Sequence, residues 1–162
     1  MTTIHVDGDL VARNYCYFLD DDEFEDTTRP GFRRRVITGE RLQLCFWRIA
    51  GGSTGSYLHQ HEEHEQLGII ARGALDFRIG DSEERRVLGQ GDVYLAPSKV
   101  WHGDSRFIGD DELDECWILD VFSPPRADLL RADAEPSVTR PPDASAAPDA
   151  AATEFVDEGE SR

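Results

Sequence analysis

Short segments rich in β-branched and aromatic residues recur through the middle of the chain and constrain the fold more than any other feature. Each segment is bounded by Gly, Pro or Asp, and no apolar period of about 3.6 residues runs over a comparable length. The segments are RLQLCFWRIA (41–50), QLGIIAR (66–72), ALDFRIG (74–80), ERRVLG (84–89), DVYLAP (92–97) and ECWILDVF (115–122). Short strands at a spacing of roughly 8–12 residues predict an all-β sandwich or barrel.

The same pattern divides the chain into three parts. Residues 1–35 are a polar N-terminal extension, residues 36–126 carry the predicted barrel, and residues 127–162 form an acidic tail rich in Ala and Pro. The tail has too few large apolar side chains to offset the entropy of ordering, so we expect it to be largely disordered. The acidic runs at 20–26 and 110–115 are expected to be solvated loops, as charge runs usually are.

The composition of the chain indicates which partners and which cellular location to expect. The 33 acidic residues against 17 basic ones give a formal charge of −16, which argues against nucleic acid or an anionic membrane as a partner. Arg33, Arg34 and Arg35 form either a solvated turn or an anion-binding entrance. Three cysteines without CxxC spacing indicate reduced thiols, and no apolar run approaches the ~18 residues that span a membrane. We therefore expect a cytoplasmic protein.

Two separate segments carry histidines that can reach one point. His59 and His61 lie in HQHEEHEQLG (59–68), and residues two apart on a strand face the same side. An isolated pair of this kind is weak evidence, because surface histidines commonly serve other roles. In GDVYLAPSKVWH (91–102), however, the turn at Gly91 and the strand end at Pro97 carry His102 back towards the interior. Imidazoles from two strands with a nearby side-chain oxygen predict a transition-metal site inside a small barrel.

These two segments resemble the paired motifs of the cupin superfamily. LHQHEEHEQLGIIARG (58–73) and CWILDVFSPPR (116–126) are similar to small single-domain cupins related to the pectin-degradation proteins, which linearise unsaturated uronates. The resemblance implies a double-stranded β-helix, that is, a jelly-roll barrel. It also implies a divalent transition metal, with Zn, Ni, Fe and Mn as candidates, held by His59, His61, Gln66 and His102.

Glu65 is the alternative oxygen ligand, since cupins more often use Glu. We favour Gln66 because the six-residue interval to Gly73 counts from it and because Glu65 would face the opposite side of the strand. His64 is expected to lie outside the coordination shell. The sequence departs from the usual cupin pattern at Lys99, where the family commonly has Gly.

The segment 116–126 holds the candidate catalytic residues. Asp120 and Phe122 share one face of a predicted strand, and Arg126 follows a rigid Ser-Pro-Pro sequence. The resemblance implies that Asp120, Phe122 and Arg126 are catalytic or contact the substrate. The alternative is structural: a buried Asp bonded to a turn and an Arg closing the barrel.

The other face of this strand is apolar, with Trp117, Leu119 and Val121. Covering by the other sheet or by a second subunit would explain it, and we expect a homodimer. Trp47 and Tyr94 are expected in the core or the pocket wall.

The primary hypothesis is a metal-dependent enzyme acting on a small, anionic carbonyl or hydroxyl compound. The metal would act as a Lewis acid, Asp120 as general acid and base, and Arg126 as a bidentate carboxylate binder. The resemblance suggests ring opening or isomerisation of an unsaturated uronate. The alternatives are an Fe(II)-dependent dioxygenase and a non-catalytic cupin sensor or sugar-binding module.

Overall fold

The computed structural model describes residues 19–55 and 57–129. Within these ranges the chain forms ten β-strands and two short 3-10 helices, at Asp21–Glu23 and Ala127–Leu129. No helix in the described part of the chain is long and apolar enough to cross a membrane. The strands are β1 (Glu25–Asp26), β2 (Phe32–Thr38), β3 (Gln43–Ala50), β4 (Thr54–Gly55), β5 (Glu65–Arg72), β6 (Ala74–Ile79), β7 (Arg85–Gly89), β8 (Val93–Ala96), β9 (His102–Ile108) and β10 (Glu115–Ser123).

The strands form two antiparallel sheets that enclose one core. The larger sheet has the order β1-β2-β3-β10-β5-β8, and the smaller has the order β4-β9-β6-β7. Buried side chains from both sheets pack together: Phe32, Ile49, Ile70 and Ile118 from the larger sheet, and Leu75, Phe77 and Phe107 from the smaller. The predicted all-β jelly-roll barrel is confirmed.

The six segments predicted from the sequence correspond to β3, β5, β6, β7, β8 and β10. Burial alternates most clearly along β10, where Cys116, Ile118, Asp120 and Phe122 are buried and the intervening side chains are half-buried. The remaining strands are short or contain clustered arginines or a glycine, so their composition does not predict them.

The acidic run at 20–26 is exposed to solvent except at Phe24, as its charge predicts, but it is not a loop, since it contains a 3-10 helix and strand β1. Phe24 is buried, and its ring packs edge-to-face on Phe46 with 5.7 Å between the ring centroids. Strand β1 pairs with β2, so the acidic segment lies along an arginine-bearing strand. Its carboxylates are paired with those arginines, as Arg33–Asp21 at 2.9 Å, Arg34–Glu25 at 3.1 Å and Arg35–Glu23 at 2.8 Å.

This pairing also changes the interpretation of the three arginines. They lie on β2 rather than in a turn, and the anions near them are carboxylates of the same chain. The loop prediction was wrong because the charge of one segment does not reveal its partner, and the two segments neutralise each other in the sheet. The second acidic run, by contrast, is largely a surface turn between β9 and β10, and Glu115 begins β10.

One predicted domain boundary falls inside a strand, and the other falls at the start of a 3-10 helix. The boundary at residue 36 lies within β2, whose residues pair continuously with β3. The boundary at residue 127 meets the second 3-10 helix, where the buried Leu129 packs with Val36, Cys45 and Phe122. The structural unit therefore includes β2 and the helix Ala127–Leu129. Residues 1–18 of the extension and 130–162 of the predicted disordered tail lie outside the described residues.

Candidate metal centre

Three histidines converge at one end of the barrel. His102 is the first residue of β9, and His59 pairs with it through an isolated β-bridge. His61 follows His59 and is buried, with 1% of its surface exposed. One ring nitrogen from each of the three residues lies within 4.8 Å of the others. The structure therefore brings together the three histidines that the two sequence segments suggested.

Backbone carbonyls orient two of these rings. Nδ1 of His59 lies 2.8 Å from the carbonyl oxygen of Tyr57, and Nδ1 of His102 lies 2.9 Å from that of Val100. An Nδ1–H donated to a carbonyl leaves the Nε2 lone pair for a metal. Burial and the adjacent His102 hold the pKa of His59 well below its usual range, and burial lowers the pKa of His102 to about 4. Both rings are thus neutral at neutral pH, as a metal ligand must be.

Gln66 brings an oxygen atom to the same point. Its Oε1 lies 3.0 Å from Nε2 of His61 and 3.1 Å from Nε2 of His102. Gln66 is buried on β5, whereas the neighbouring Glu65 is exposed. Three imidazole nitrogens and one neutral oxygen, converging in a buried pocket, fit a divalent transition metal such as Zn, Ni, Fe or Mn.

Asp120 lies next to this ligand set at the centre of a hydrogen-bond network. Its Oδ1 accepts a bond of 2.8 Å from the Tyr94 hydroxyl, and its Oδ2 accepts one of 3.1 Å from the Trp47 indole N–H. The Tyr94 hydroxyl in turn accepts a bond of 2.7 Å from the Gln66 amide. Burial raises the pKa of Asp120, and these hydrogen bonds oppose the shift. A buried carboxylate with a raised pKa beside a metal site is suited to proton transfer.

Phe122 and Arg126 form the wall beside the histidines. The Phe122 ring lies 5.7 Å from the ring of His61, and the Arg126 guanidinium lies 4.8 Å from the centre of the Phe122 ring. Arg126 also makes a bidentate pair with Asp128, at 3.1 Å from Nε and 2.7 Å from Nη2. In this structure Arg126 therefore binds a carboxylate of its own chain in bidentate fashion, through the donors that were expected to bind a substrate.

His64 has a different partner. Its Nδ1 lies 2.8 Å from the carbonyl oxygen of Pro124, and the side chain is buried. It does not belong to the group of three converging histidines. Its contact ties the segment carrying the histidines to the Ser-Pro-Pro segment that precedes Arg126.

Comparison with known proteins identifies the family. The Cupin domain family matches residues 45–118. The pectin degradation protein KdgF of Dickeya dadantii (strain 3937) is 34% identical over 116 residues, which are 70% of this chain and 97% of that protein. This chain belongs to the cupin family.

Solved cupin structures share the architecture. KdgF from Halomonas sp. superposes with a TM-score of 0.59 at 29% identity, over 70% of this chain and 99% of that one. An RmlC-like cupin from Shewanella frigidimarina NCIMB 400 gives a TM-score of 0.59 at 25% identity, over 72% and 96%. The resemblance to small cupins related to the pectin-degradation proteins is confirmed.

A cavity of about 110 Å³ lies inside the cupin barrel beside the histidines. Most of its wall is aromatic or aliphatic, with Phe32, Phe77 and Phe107 among the lining residues. The polar side chains that line it are His59, Gln66, Tyr94, Ser105, Asp120 and Arg126. The polar groups thus share a small, otherwise apolar chamber.

The sequence pattern did not single out Tyr94 and Trp47 for polar roles. Both were expected as core or wall, yet each donates a hydrogen bond to Asp120. A signal for Tyr94 does exist in the sequence, namely Gly68 in the middle of an otherwise apolar strand. A glycine inside a strand often marks a close approach of another group.

Proposed function

We propose that this cupin is a metal-dependent enzyme that opens or isomerises a 4,5-unsaturated uronate or a closely similar sugar acid. The observation that carries the proposal is the buried Asp120 carboxylate, linked through Tyr94 to the oxygen-bearing side chain of Gln66 beside three histidines. The 34% identity to a pectin degradation protein supports the class of substrate.

The proposed roles divide between His59, His61, Gln66 and His102, which hold the metal, and three residues on the cavity wall. When bound, the metal supplies Lewis acidity to a substrate oxygen. Asp120 accepts and returns a proton at its carboxylate, which the hydrogen bonds from Tyr94 and Trp47 hold in place. Arg126 binds the substrate carboxylate, with Asp128 orienting the guanidinium. Phe122 shields the reacting atoms from water.

The experiment is an absorbance assay on a 4,5-unsaturated uronate. The C=C bond conjugated to the carboxylate absorbs in the ultraviolet, and the absorbance disappears when the substrate rearranges. We expect this loss with the metal-loaded protein, with or without O₂, and not with His102→Ala. Turnover that strictly requires O₂ would replace the proposal by an Fe(II) dioxygenase. Metal binding without turnover would favour a sensor or sugar-binding module.

We also propose a homodimer formed through the outer face of the larger sheet. Two apolar cross-strand rows run over that face, Leu44–Val121–Leu67–Leu95 and Phe46–Leu119–Ile69–Val93. Phe24 packs on Phe46 at one end of the second row, whereas Val93 and Leu95 on the edge strand β8 are each 52% exposed. An exposed apolar row of this kind favours association. Sedimentation equilibrium should give twice the mass of the chain.

The cysteines support the proposed cytoplasmic location. Cys45 and Cys116 are free and buried, which fits a reducing compartment.

A further inference from the structure

One cross-strand row of the larger sheet brings Tyr94 to the proposed acid and base, Asp120. Asp120 on β10 is the register partner of Gly68 on β5, and Gly68 is the register partner of Tyr94 on β8. The middle position of this row has no side chain. Tyr94 therefore reaches across β5, two strands away, to the carboxylate of Asp120.

Gly68 leaves the space through which the Tyr94 side chain crosses β5. A Cβ atom added to Gly68 would lie 2.0 Å from Cε1 and 2.3 Å from Cζ of the Tyr94 ring. Real Cβ atoms do not approach a neighbour so closely, so any larger residue at 68 would force the ring to move. The Tyr94 ring thus fills the space that a side chain at position 68 would need.

The hydrogen bonds that lead from Gln66 through Tyr94 to Asp120 have one direction. Oε1 of Gln66 faces His61 and His102, so the Nε2 end of the same amide faces Tyr94, to which it donates a bond of 2.7 Å. The hydroxyl has a single hydrogen, which is donated to Oδ1 of Asp120 at 2.8 Å. Reversal of the amide would place its NH₂ group against the two imidazoles and its oxygen against the hydroxyl.

We propose that Tyr94 is a positioning residue that holds the Gln66 amide with its oxygen towards the metal and holds the Asp120 carboxylate beside it. Gly68 is the residue that permits this arrangement. The inference rests on the proposed function for the role of Asp120, and it extends the site to two residues that do not touch the metal. Partners of this kind fix the orientation of a ligand and raise its affinity for the metal.

Trp47 provides the contrast that the test needs. It donates a hydrogen bond to the other oxygen of Asp120, and within the described residues no hydrogen bond joins it to Gln66. Loss of the indole N–H should therefore affect Asp120 without affecting the metal ligand. Gly89 is a matched glycine on β7, where an added Cβ would meet only Asp92 Oδ2 at 3.8 Å.

The experiment measures the affinity of the full chain for Ni²⁺ and Zn²⁺ by competition with a chromophoric chelator. The variants are Tyr94→Phe, Gly68→Ala, Trp47→Phe and Gly89→Ala, each checked by thermal unfolding. Tyr94→Phe and Gly68→Ala should each weaken metal binding about 10-fold or more, since partners of metal ligands typically contribute about 10–100-fold. Trp47→Phe and Gly89→Ala should bind as the unchanged protein does.

Turnover provides the second measurement. Tyr94→Phe at saturating metal should lower kcat more than it raises KM, because the carboxylate is misplaced rather than the substrate contacts removed. Equal metal affinity in Tyr94→Phe, Gly68→Ala and Gly89→Ala would overturn the inference. Absence of uronate turnover by the unchanged protein would overturn the proposed function instead and leave the result on metal affinity standing. Failure of the unchanged protein to bind either metal would overturn both.

Discussion

Replacing Asp120 by Asn removes the proposed proton acceptor while keeping the shape of the side chain. In the folded protein the two carboxylate oxygens accept hydrogen bonds from Tyr94 and Trp47. The asparagine oxygen can still accept the Trp47 N–H, and its NH₂ group then faces the Tyr94 hydroxyl. The hydroxyl oxygen of Tyr94 has two acceptor sites, of which Gln66 uses one. The hydroxyl hydrogen of Tyr94, however, loses its acceptor, so the amide leaves one buried O–H unpaired.

The expected effects on stability and on rate differ in size. Burial raises the pKa of Asp120, so folding costs more for its ionised form than for a neutral side chain, and a neutral amide relieves part of that cost. The loss of one charge-assisted hydrogen bond acts in the opposite direction, so the net change should stay within about 2 kcal/mol. Loss of a general acid–base group lowers the rate about 10²–10⁴-fold. That corresponds to roughly 3–5 kcal/mol in the activation free energy.

The assay combines kcat and KM on a 4,5-unsaturated uronate with metal content and thermal unfolding. Asp76→Asn is the matched control, since Asp76 pairs with Arg85 at 2.7 Å on the smaller sheet and does not line the cavity. It should cost some stability and leave kcat unchanged. Asp120→Asn should lose kcat at full metal content. A kcat within about tenfold of the unchanged protein would refute the assignment and make Asp120 a structural carboxylate.

Three further predictions concern the metal ligands, the strained backbone at Lys99 and the N-terminal segment. Alanine at any one of the three converging histidines should strongly lower bound metal by direct analysis, whereas His64→Ala, which removes a bond to a backbone carbonyl, should not. Lys99→Gly should raise the free energy of unfolding in urea by about 0.5–1 kcal/mol, because Lys99 has a φ of 65°, and Lys99→Ala should give no such gain. Phe24→Ala should lower the same quantity by about 3 kcal/mol, as expected for a buried ring. A loss below about 0.5 kcal/mol would restore the solvated-loop interpretation.

The fold was predictable because each central strand carries its own signal. Period-2 alternation in β10 and β5 depends only on which face meets the core, and it can be read one segment at a time. The acidic run and β2 could not be read in this way. Each is too charged to predict as part of a sheet, and only their pairing, with Glu23 against the buried Arg35 for example, offsets the charge that β2 brings to the sheet.

The candidate metal centre was predictable for a related reason. His59 and His61 are near neighbours in the sequence, and motif spacing brings His102 to them. The hydrogen-bond network behind the ligands has no such local signature. Tyr94 and Asp120 lie in different segments and on strands that are not adjacent, and they meet only because the register puts Gly68 between them.

Arg126 marks the limit of reasoning from a motif. Spacing brings it to the cavity wall, but the sequence does not reveal that Asp128, two residues later, occupies its Nε and Nη2 donors. Both side chains are at least nine-tenths buried, so neither charge can be left unpaired without a large cost. In the proposed function a substrate carboxylate would therefore have to join this pair rather than replace it. Asp128 largely offsets the positive charge of Arg126, so recognition of an anionic substrate would need a second positive group, a role that the proposed metal would fill.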